Sequence, residues 1–367
     1  MLQRLNRRRR RILMTVDAVG GVWQYALGLA AQLAEAGHTI IFAGLGPLPA
    51  DGQRRQAEAV ATVTWLQTPP DWMAAAEGEL DGLPDELARL VRDHAADLVH
   101  LNAPAQAAGL SLPCPVVVVS HSCVVTWFRA VQGASPPAPW SWHKRRNRAG
   151  FRRADMAVAP SASHAAALTA CYGDIQRLEV VHNAVAAFDC EAPRENDVFA
   201  AARWWDAGKN GQVLDAAAAR TTWPILAAGP ATGPNGDVFA FRHATSLGPL
   251  PHDETRRRMA AAGIFVSPSL YEPFGLAALE AAQAGTPLVL ADIPTYREVW
   301  ADAALFFPPR DASALADTLD CLARDAALRH SLGAAALRRA GRYTMAGQAA
   351  AMNAAYAEAA AIHAGSR

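Results

Sequence analysis

The sequence predicts an α/β protein built as two doubly wound, Rossmann-like domains facing a central cleft. Three observations predict it. At 367 residues the chain is longer than one ordinary core requires and suits two domains. Short aliphatic runs alternate with helical patterns from Ile12 to His182, and the alternation restarts at Val198 and continues to Phe307. Between the two series, residues 186–197 carry acidic side chains and a proline and break the rhythm as a linker would.

Taken in order, Ile12–Val16 reads as a short buried strand, followed by a turn at Gly20-Gly21. A helix with apolar positions Leu27, Leu29, Leu33 and Ala34 comes next and stops at Gly37, which suits a left-handed cap. Thr39–Ala43 completes a β-turn-α-β unit, the mark of a parallel sheet. Further strands are expected at Val60–Leu66, Leu98–Leu101, Val116–Ser120, Met156–Pro160 and Glu179–His182. The second series is expected at Val198–Ala202, Pro224–Gly229, Ala244–Leu247, Ile264–Ser267, Pro287–Ala291 and Ala304–Phe307. From Ala312 the pattern is helical and alanine-rich, with Leu315, Leu319, Leu322, Leu328 and Leu332 forming a packing face. The expected division is a basic tail (1–11), an N-terminal Rossmann-like domain (12–185), a linker (186–197), a C-terminal Rossmann-like domain (198–345) and a last helix (346–367). Whether that helix returns to the N-terminal domain is left open.

Composition narrows the function. Hydrophobic residues make up 51% and charged residues 19%, a globular balance, and the formal net charge of zero advertises no nucleic-acid partner. Five scattered cysteines (Cys114, Cys123, Cys171, Cys190, Cys321) form no CxxC pair, so neither a metal site nor a disulfide framework is expected, and a reducing cytoplasm fits best. The apolar run after Arg7–Arg11 is cut short by Asp17, too short for a signal peptide, and no run reaches the roughly 20 apolar residues that span a bilayer. The basic and aromatic stretch Trp127–Arg153, with Trp127, Phe128, Trp140 and Trp142, reads as a solvated helix and its lead-in loop. A contact with acceptor or with a membrane surface is the alternative.

The chemistry concentrates in the second half. In Ser267-Pro-Ser-Leu-Tyr-Glu-Pro-Phe-Gly-Leu-Ala-Ala-Leu-Glu280, a strand delivers Glu272 to a loop. Pro273 is expected in the first helical turn, and Phe274-Gly275 is expected to open that helix with backbone donors aimed at the cleft. Glu280 then falls about two turns along the flank, where a carboxylate can accept hydrogen bonds from a ribose diol. Ala201-Ala-Arg-Trp-Trp-Asp-Ala-Gly-Lys-Asn210 follows another strand and offers Arg203 and Lys209, a guanidinium fork and a point charge suited to a diphosphate.

These blocks resemble the retaining glycosyltransferases of family 4, which have the GT-B fold. The resemblance runs from Ile12 to about Tyr356, with its specific motifs in the second half. It implies that Arg203 and Lys209 hold the donor diphosphate, that Glu272 faces the donor sugar, and that Glu280 with Phe274, Gly275, Leu276, Gly229 and Asn210 binds the donor. It places Gly20 and Gly21 beside the diphosphate and His121 in the sugar pocket, with Asp17 as a candidate acceptor contact. Asn183 matches a hinge position. Ala202, Trp204, Trp205 and Ala184 stand where the family usually has smaller residues or glycine.

The activity so implied is metal-independent and needs no cofactor: transfer of a sugar from a nucleotide diphosphate donor to an acceptor hydroxyl, on a glycan, a lipid-linked molecule or a small molecule. Location would be cytoplasmic, with a peripheral contact at the inner membrane face held open. A nucleotide-sugar epimerase on the same fold and a non-catalytic nucleotide-sugar binder are the alternatives. A nicotinamide dehydrogenase is disfavoured by the missing G-x-G-x-x-G. Acceptor, base and sugar are not readable.

Overall fold

The computed structural model describes residues 9–188, 192–234 and 236–365. The first sheet is built from β1 (Arg11–Asp17), β2 (Thr39–Leu45), β3 (Thr62–Trp65), β4 (Leu98–Leu101), β5 (Val116–Val119), β6 (Met156–Ala159) and β7 (Leu178–Val180). Its seven strands lie in the order β3-β2-β1-β4-β5-β6-β7, and every pairing is parallel. Connections are made by α1 (Gly21–Glu35), α2 (Asp51–Glu58), α3 (Leu83–Asp93), α4 (Val124–Trp127), α5 (Trp142–Arg153) and α6 (Ala162–Tyr172).

The second sheet has six parallel strands: β8 (Val198–Ala201), β9 (Ile225–Ala228), β10 (Thr245–Gly248), β11 (Ile264–Ser267), β12 (Leu288–Ala291) and β13 (Ala304–Phe307), in the order β10-β9-β8-β11-β12-β13. Its helices are α7 (Gly211–Ala218), α8 (His252–Ala261), α9 (Leu276–Gln283), α10 (Pro294–Trp300), α11 (Ala312–Arg324) and α12 (Ala326–Ala340). In both sheets the strand order reverses beside the first strand, so each has a switch point, between β1 and β4 and between β8 and β11. Ligand crevices open there, outside the carboxyl ends of the strands.

Helices cover both faces of each sheet, which is why strands such as Val116–Val119 are wholly buried and read as unbroken apolar runs. The final helix, α13 (Met345–Gly365), leaves the second domain and packs on the first. Its Met352, Tyr356 and Ala359 share a core with Ile12, Met14, Trp23, Leu29 and Met156. Gly28 on α1 makes room for this return: a Cβ there would lie 2.7 Å from Met345 Cε.

Three local expectations are corrected. Arg11 is not tail but the first residue of β1, and its Nε–H donates to the His94 carbonyl at 2.6 Å; residues 1–8 lie outside those described. The end of the linker is fastened rather than loose, because the Arg194 guanidinium donates to the carbonyls of Ala260, Ala262 and Ala284 and to Thr286. Residues 189–191, including Cys190, are outside the described set. Finally, α9 begins at Leu276, so Pro273 and Phe274 precede the helix and Gly275 is its N-cap.

Candidate functional site

The site grows from the carboxyl ends of β8 and β11. After β8 the chain turns at Arg203–Asn210, and Asp206 organises that turn. Its carboxylate accepts from Gly208 N–H at 2.8 Å and lies 3.6 Å from Arg203 Nη2. From across the cleft, Trp127 Nε1–H donates to the same Asp206 oxygen at 2.9 Å. Lys209 then reaches Glu272 on the loop after β11, with Nζ 2.6 Å from Oε2, in surroundings that leave the two side chains only 15% and 18% exposed. Two residues from different crossovers thus meet as a charge-assisted, largely buried pair.

The opposing wall is the loop after β1. Gly20 has φ of 94°, a backbone that a side chain resists, and a Cβ there would lie 2.8 Å from Arg203 Nη1. A Cβ on Gly21 would lie 3.3 Å from Leu276 Cδ1. The two glycines therefore bring the N-terminus of α1 against the arginine of one motif and the helix-opening leucine of the other. At the end of β1, Asp17 caps the loop by accepting from Val19 N–H at 2.9 Å. Burial pushes its carboxyl up to about 6, against the pull of that hydrogen bond and of Arg203.

His121 follows β5 and stands on the N-terminal wall. Its Nε2 is 2.9 Å from Asn102 Oδ1, and its ring meets the Tyr25 ring edge-on at 4.2 Å. Burial, reinforced by His100 and His164, lowers its pKa to about 3, so the imidazole is neutral.

Other residues singled out from the sequence land differently. The Glu280 carboxylate, on α9, is engaged by His252 Nε2 at 2.7 Å. The Asn210 amide turns inward and donates to the carbonyls of Pro268 and Pro309, so it ties the Lys209 loop to its neighbours instead of offering a side chain to donor. Phe274 is 2% exposed and packs edge-on against Tyr343, leaving only its backbone for the cleft. Gly229 is demanded by the fold: with φ of 120°, a Cβ would sit 1.9 Å from the Ala202 carbonyl. Trp204 is core, its Nε1–H bonded to the Ala228 carbonyl, whereas Trp205 lies half-buried beneath Arg203. Asn183 is buried and accepts from Gln348 Nε2 of α13.

Several residues escaped the sequence reading. His252 opens α8 just after a proline and had no motif around it. Trp72, on a 3-10 turn at Asp71–Met73, stacks on Trp205 with ring centroids 6.4 Å apart. Glu298 of α10 bridges the domains by accepting from Ala162 N–H, Ser163 N–H and the Ser163 hydroxyl, at the N-terminus of α6. Beside it, the Ser161 hydroxyl donates to the Pro273 carbonyl at 2.7 Å, and Tyr271 Oη lies 2.7 Å from Thr126 Oγ1. Apart from Tyr271, which sits inside the Ser267–Glu280 block, each is a lone residue in its own stretch and acts through a distant partner.

The 127–153 stretch divides in two. Trp127 joins the domains through Asp206, while Trp142, His143, Arg146 and Phe151 form the buried face of α5. On the outer face a shallow hollow of about 400 Å³ is lined by Ser141, Lys144, Arg145, Arg148, Ala149 and Arg152. Arg145 is ion-paired with Glu77 there, and Arg148 donates to the Tyr172 carbonyl. Among the described residues no three His, Cys, Asp or Glu side chains group as a metal-binding set, and no helix is long and apolar enough to cross a membrane.

Two doubly wound domains, joined by a returning last helix and meeting at their switch points, define the GT-B architecture. Known proteins agree. Residues 19–187 match the model for Glycosyltransferase Family 4, and residues 242–339 match that for Glycosyl transferases group 1. Glycogen synthase of Mycobacterium tuberculosis is 25% identical over 365 residues, covering 88% of this chain and 86% of its own. D-inositol 3-phosphate glycosyltransferase of Frankia alni is 43% identical over 94 residues, 25% of this chain and 23% of its own. In fold, the chain resembles sucrose-phosphate synthase from Thermosynechococcus elongatus, with a TM-score of 0.79 at 18% identity over 95% of this chain and 98% of that one. HepE of Anabaena in complex with UDP-glucose gives 0.72 at 17% identity, over 95% and 98%. The chain belongs to glycosyltransferase family 4 and is a glycosyltransferase.

Proposed function

We propose that the chain transfers a sugar, with retention of anomeric configuration, from a nucleotide diphosphate donor to an acceptor hydroxyl. The observations that carry this are the Lys209–Glu272 pair, which joins the loops after β8 and β11, and the placing of Arg203, from the first of those loops, against Gly20. A diphosphate seated there would meet a guanidinium, an ammonium and the first N–H groups of α1, which lack intrahelical partners. Glu280, freed from His252, would take the ribose hydroxyls; Glu272 and His121 would face the donor sugar, and Asp17 the acceptor side.

The chemistry follows from those positions. As the bond between the anomeric carbon and the phosphate oxygen breaks, its electron pair passes to the diphosphate, and the positive groups stabilise the charge that develops. The acceptor oxygen forms its bond to the same face of the sugar, and its proton goes to the departing phosphate oxygen. No protein carboxylate needs to become a nucleophile. The exposed cations of α5 support a second, minor reading, a peripheral contact with an anionic membrane surface.

The direct test is a melting-temperature panel with UDP-, GDP- and ADP-sugars, followed by NMR of the anomeric product from the donor that binds. A donor at 100 times its Kd stabilises the fold by about 2.7 kcal/mol. A flat panel removes the donor assignment, and an inverted product removes retention.

A further inference from the structure

The cleft wall that carries His121 is backed by a chain of buried polar groups whose hydrogen positions can be worked out. Asn102 Nδ2 is 2.5 Å from the Thr15 carbonyl, an atom that only accepts, so the amide must point its N–H there and its oxygen the other way. That oxygen, Oδ1, faces two ring nitrogens, His121 Nε2 at 2.9 Å and His100 Nε2 at 3.1 Å. An amide oxygen cannot donate, so each ring must carry its proton on Nε2. Burial, first among the causes, holds His100 near a pKa of about 4 and His121 near about 3, so neither ring carries a second proton at neutral pH.

The remaining partners agree with this polarity. His100 Nδ1 is left as a lone pair, and Tyr356 Oη stands 2.6 Å from it, able to donate. Asn102 N–H donates to Thr15 Oγ1 at 2.8 Å, and that hydroxyl donates onward to Gln106 Oε1 at 2.7 Å. Thr15, His100 and Tyr356 are fully buried, and Asn102 and Gln106 nearly so, which shuts out water that could substitute for a missing partner. One arrangement of protons satisfies every one of these contacts.

We infer that Asn102 is a positioning residue that holds His121 as the neutral tautomer protonated on Nε2, so that the ring can meet the donor sugar only through the Nδ1 lone pair. Tyr356, arriving on the returning last helix, fixes the His100 end of the same chain. The consequence is a rule of specificity: the sugar hydroxyl that docks on His121 must donate its proton. A donor with fluorine in that place brings a lone pair against a lone pair and should be rejected. This rests on the reading of His121 as a wall of the sugar pocket.

The test uses the full chain labelled with ¹⁵N-histidine, its ring signals assigned through His121→Gln and His100→Gln. At neutral pH the wild-type spectrum should show both rings protonated on Nε2 and unprotonated on Nδ1. A proton on Nδ1 of His121, or an imidazolium, overturns the proposal whatever the enzyme's activity. Asn102→Leu should release the His121 tautomer and lower kcat/KM by on the order of 10²-fold with the donor chosen from UDP-, GDP- and ADP-glucose. Tyr356→Phe, a gentler change far from the cleft, should let His100 exchange tautomers and lower kcat/KM less than tenfold, roughly the worth of one hydrogen bond. Should Asn102→Leu fail to fold, the wild-type spectrum and Tyr356→Phe still decide the matter. An Nε2–H spectrum together with undiminished turnover in folded Asn102→Leu would instead remove His121 from the sugar pocket, a failure of the functional reading and distinct from a wrong tautomer.

Discussion

The two walls of the cleft are built by different means. On the C-terminal wall, the groups proposed to hold the donor come from two short contiguous stretches, Arg203–Asn210 and Glu272–Glu280, and the Lys209–Glu272 pair joins them. On the N-terminal wall, His121 depends on Asn102, His100 and Tyr356, the last of which lies 256 residues from His100 in sequence. A diphosphate has the same charge whatever sugar or acceptor accompanies it, so one compact cationic motif can serve many donors. Sugar and acceptor recognition needs shape and hydrogen-bond polarity, and these are assembled from remote parts of the chain. The two walls should therefore fail differently when altered.

The largest effect on folding is expected at Gly229 and the contrast to it at Gly20, both of which have positive φ. At Gly229 an added Cβ meets a backbone carbonyl that cannot move aside, and Gly229→Ala should cost about 3 kcal/mol or more of stability. At Gly20 the obstructing atom is the tip of Arg203, which can swing away. Gly20→Ala should lose roughly 1–3 kcal/mol from its backbone conformation but lose most of its activity, because the displaced guanidinium no longer faces the turn. Paired urea melts and rate measurements separate the two. Equal losses of stability would show that the glycine turn is scaffold rather than site.

Next in size is Lys209→Ala. Loss of one positioned charge at a departing diphosphate should cost about 3 kcal/mol of barrier, a hundredfold or more in kcat, with the melting temperature little changed. The variant also leaves Glu272 without its ion partner, so Glu272→Gln is the natural companion: removing both should cost less than the sum of the two. Wild-type turnover in folded Lys209→Ala would break the assignment of the C-terminal wall.

Legibility in the sequence followed the same division. The strands were readable, because parallel strands covered on both faces are short apolar runs, and Leu98–Leu101, Ile264–Ser267 and Ala304–Phe307 coincide with expectation to the residue. The family motif was readable because its residues are consecutive. The start of α9 was misplaced: Pro273 suits a first helical turn, yet Gly275 takes φ of 96° where a Cβ would lie 2.8 Å from Tyr296, so the chain can enter the helix only after it. His252, Trp72, Glu298 and Asn102 were invisible, since each acts through a partner that local pattern does not reach. Asn210 and its motif neighbour part ways for a local reason: Lys209 pairs with Glu272, whereas the left-handed backbone of Asn210 accompanies an amide turned into the loop.

A smaller effect, centred on the N-terminal wall, concerns pH. Asp17 has its folded-state pKa raised to about 6, above the ordinary carboxylate value near 4. The folded protein therefore binds this proton more tightly than the unfolded chain does. The stabilisation is fully present at low pH and is lost as pH rises from about 4 through about 6. Asp17→Asn should remove that slope and raise stability at pH 7 by about 1–2 kcal/mol. Urea unfolding of both proteins across this interval checks it. Parallel curves would mean that Asp17 is better solvated than its setting beside Arg203 implies.

The smallest effect lies outside the cleft, on the outer face of α5. Near an anionic bilayer each surface cation contributes about 1 kcal/mol. Lys144, Arg145, Arg148 and Arg152 line that face, but Arg145 already pairs with Glu77, so Lys144, Arg148 and Arg152 supply most of the attraction. Two to four such terms give about 2–4 kcal/mol, which at best corresponds to a Kd near 1 mM. Sedimentation with phosphatidylserine-rich vesicles should thus show weak binding at low salt, lost within a few hundred millimolar salt as the Debye length shrinks. Lys144→Glu with Arg152→Glu should abolish it and leave the melting temperature within about 0.5 kcal/mol of wild type in stability terms. Binding that resists salt would require an apolar anchor that this face lacks. No binding at all would leave the outer face of α5 a solvated surface, with the bonds of Trp127 to Asp206 and of the Val131 carbonyl to Arg310 tying the start of the stretch to the C-terminal domain.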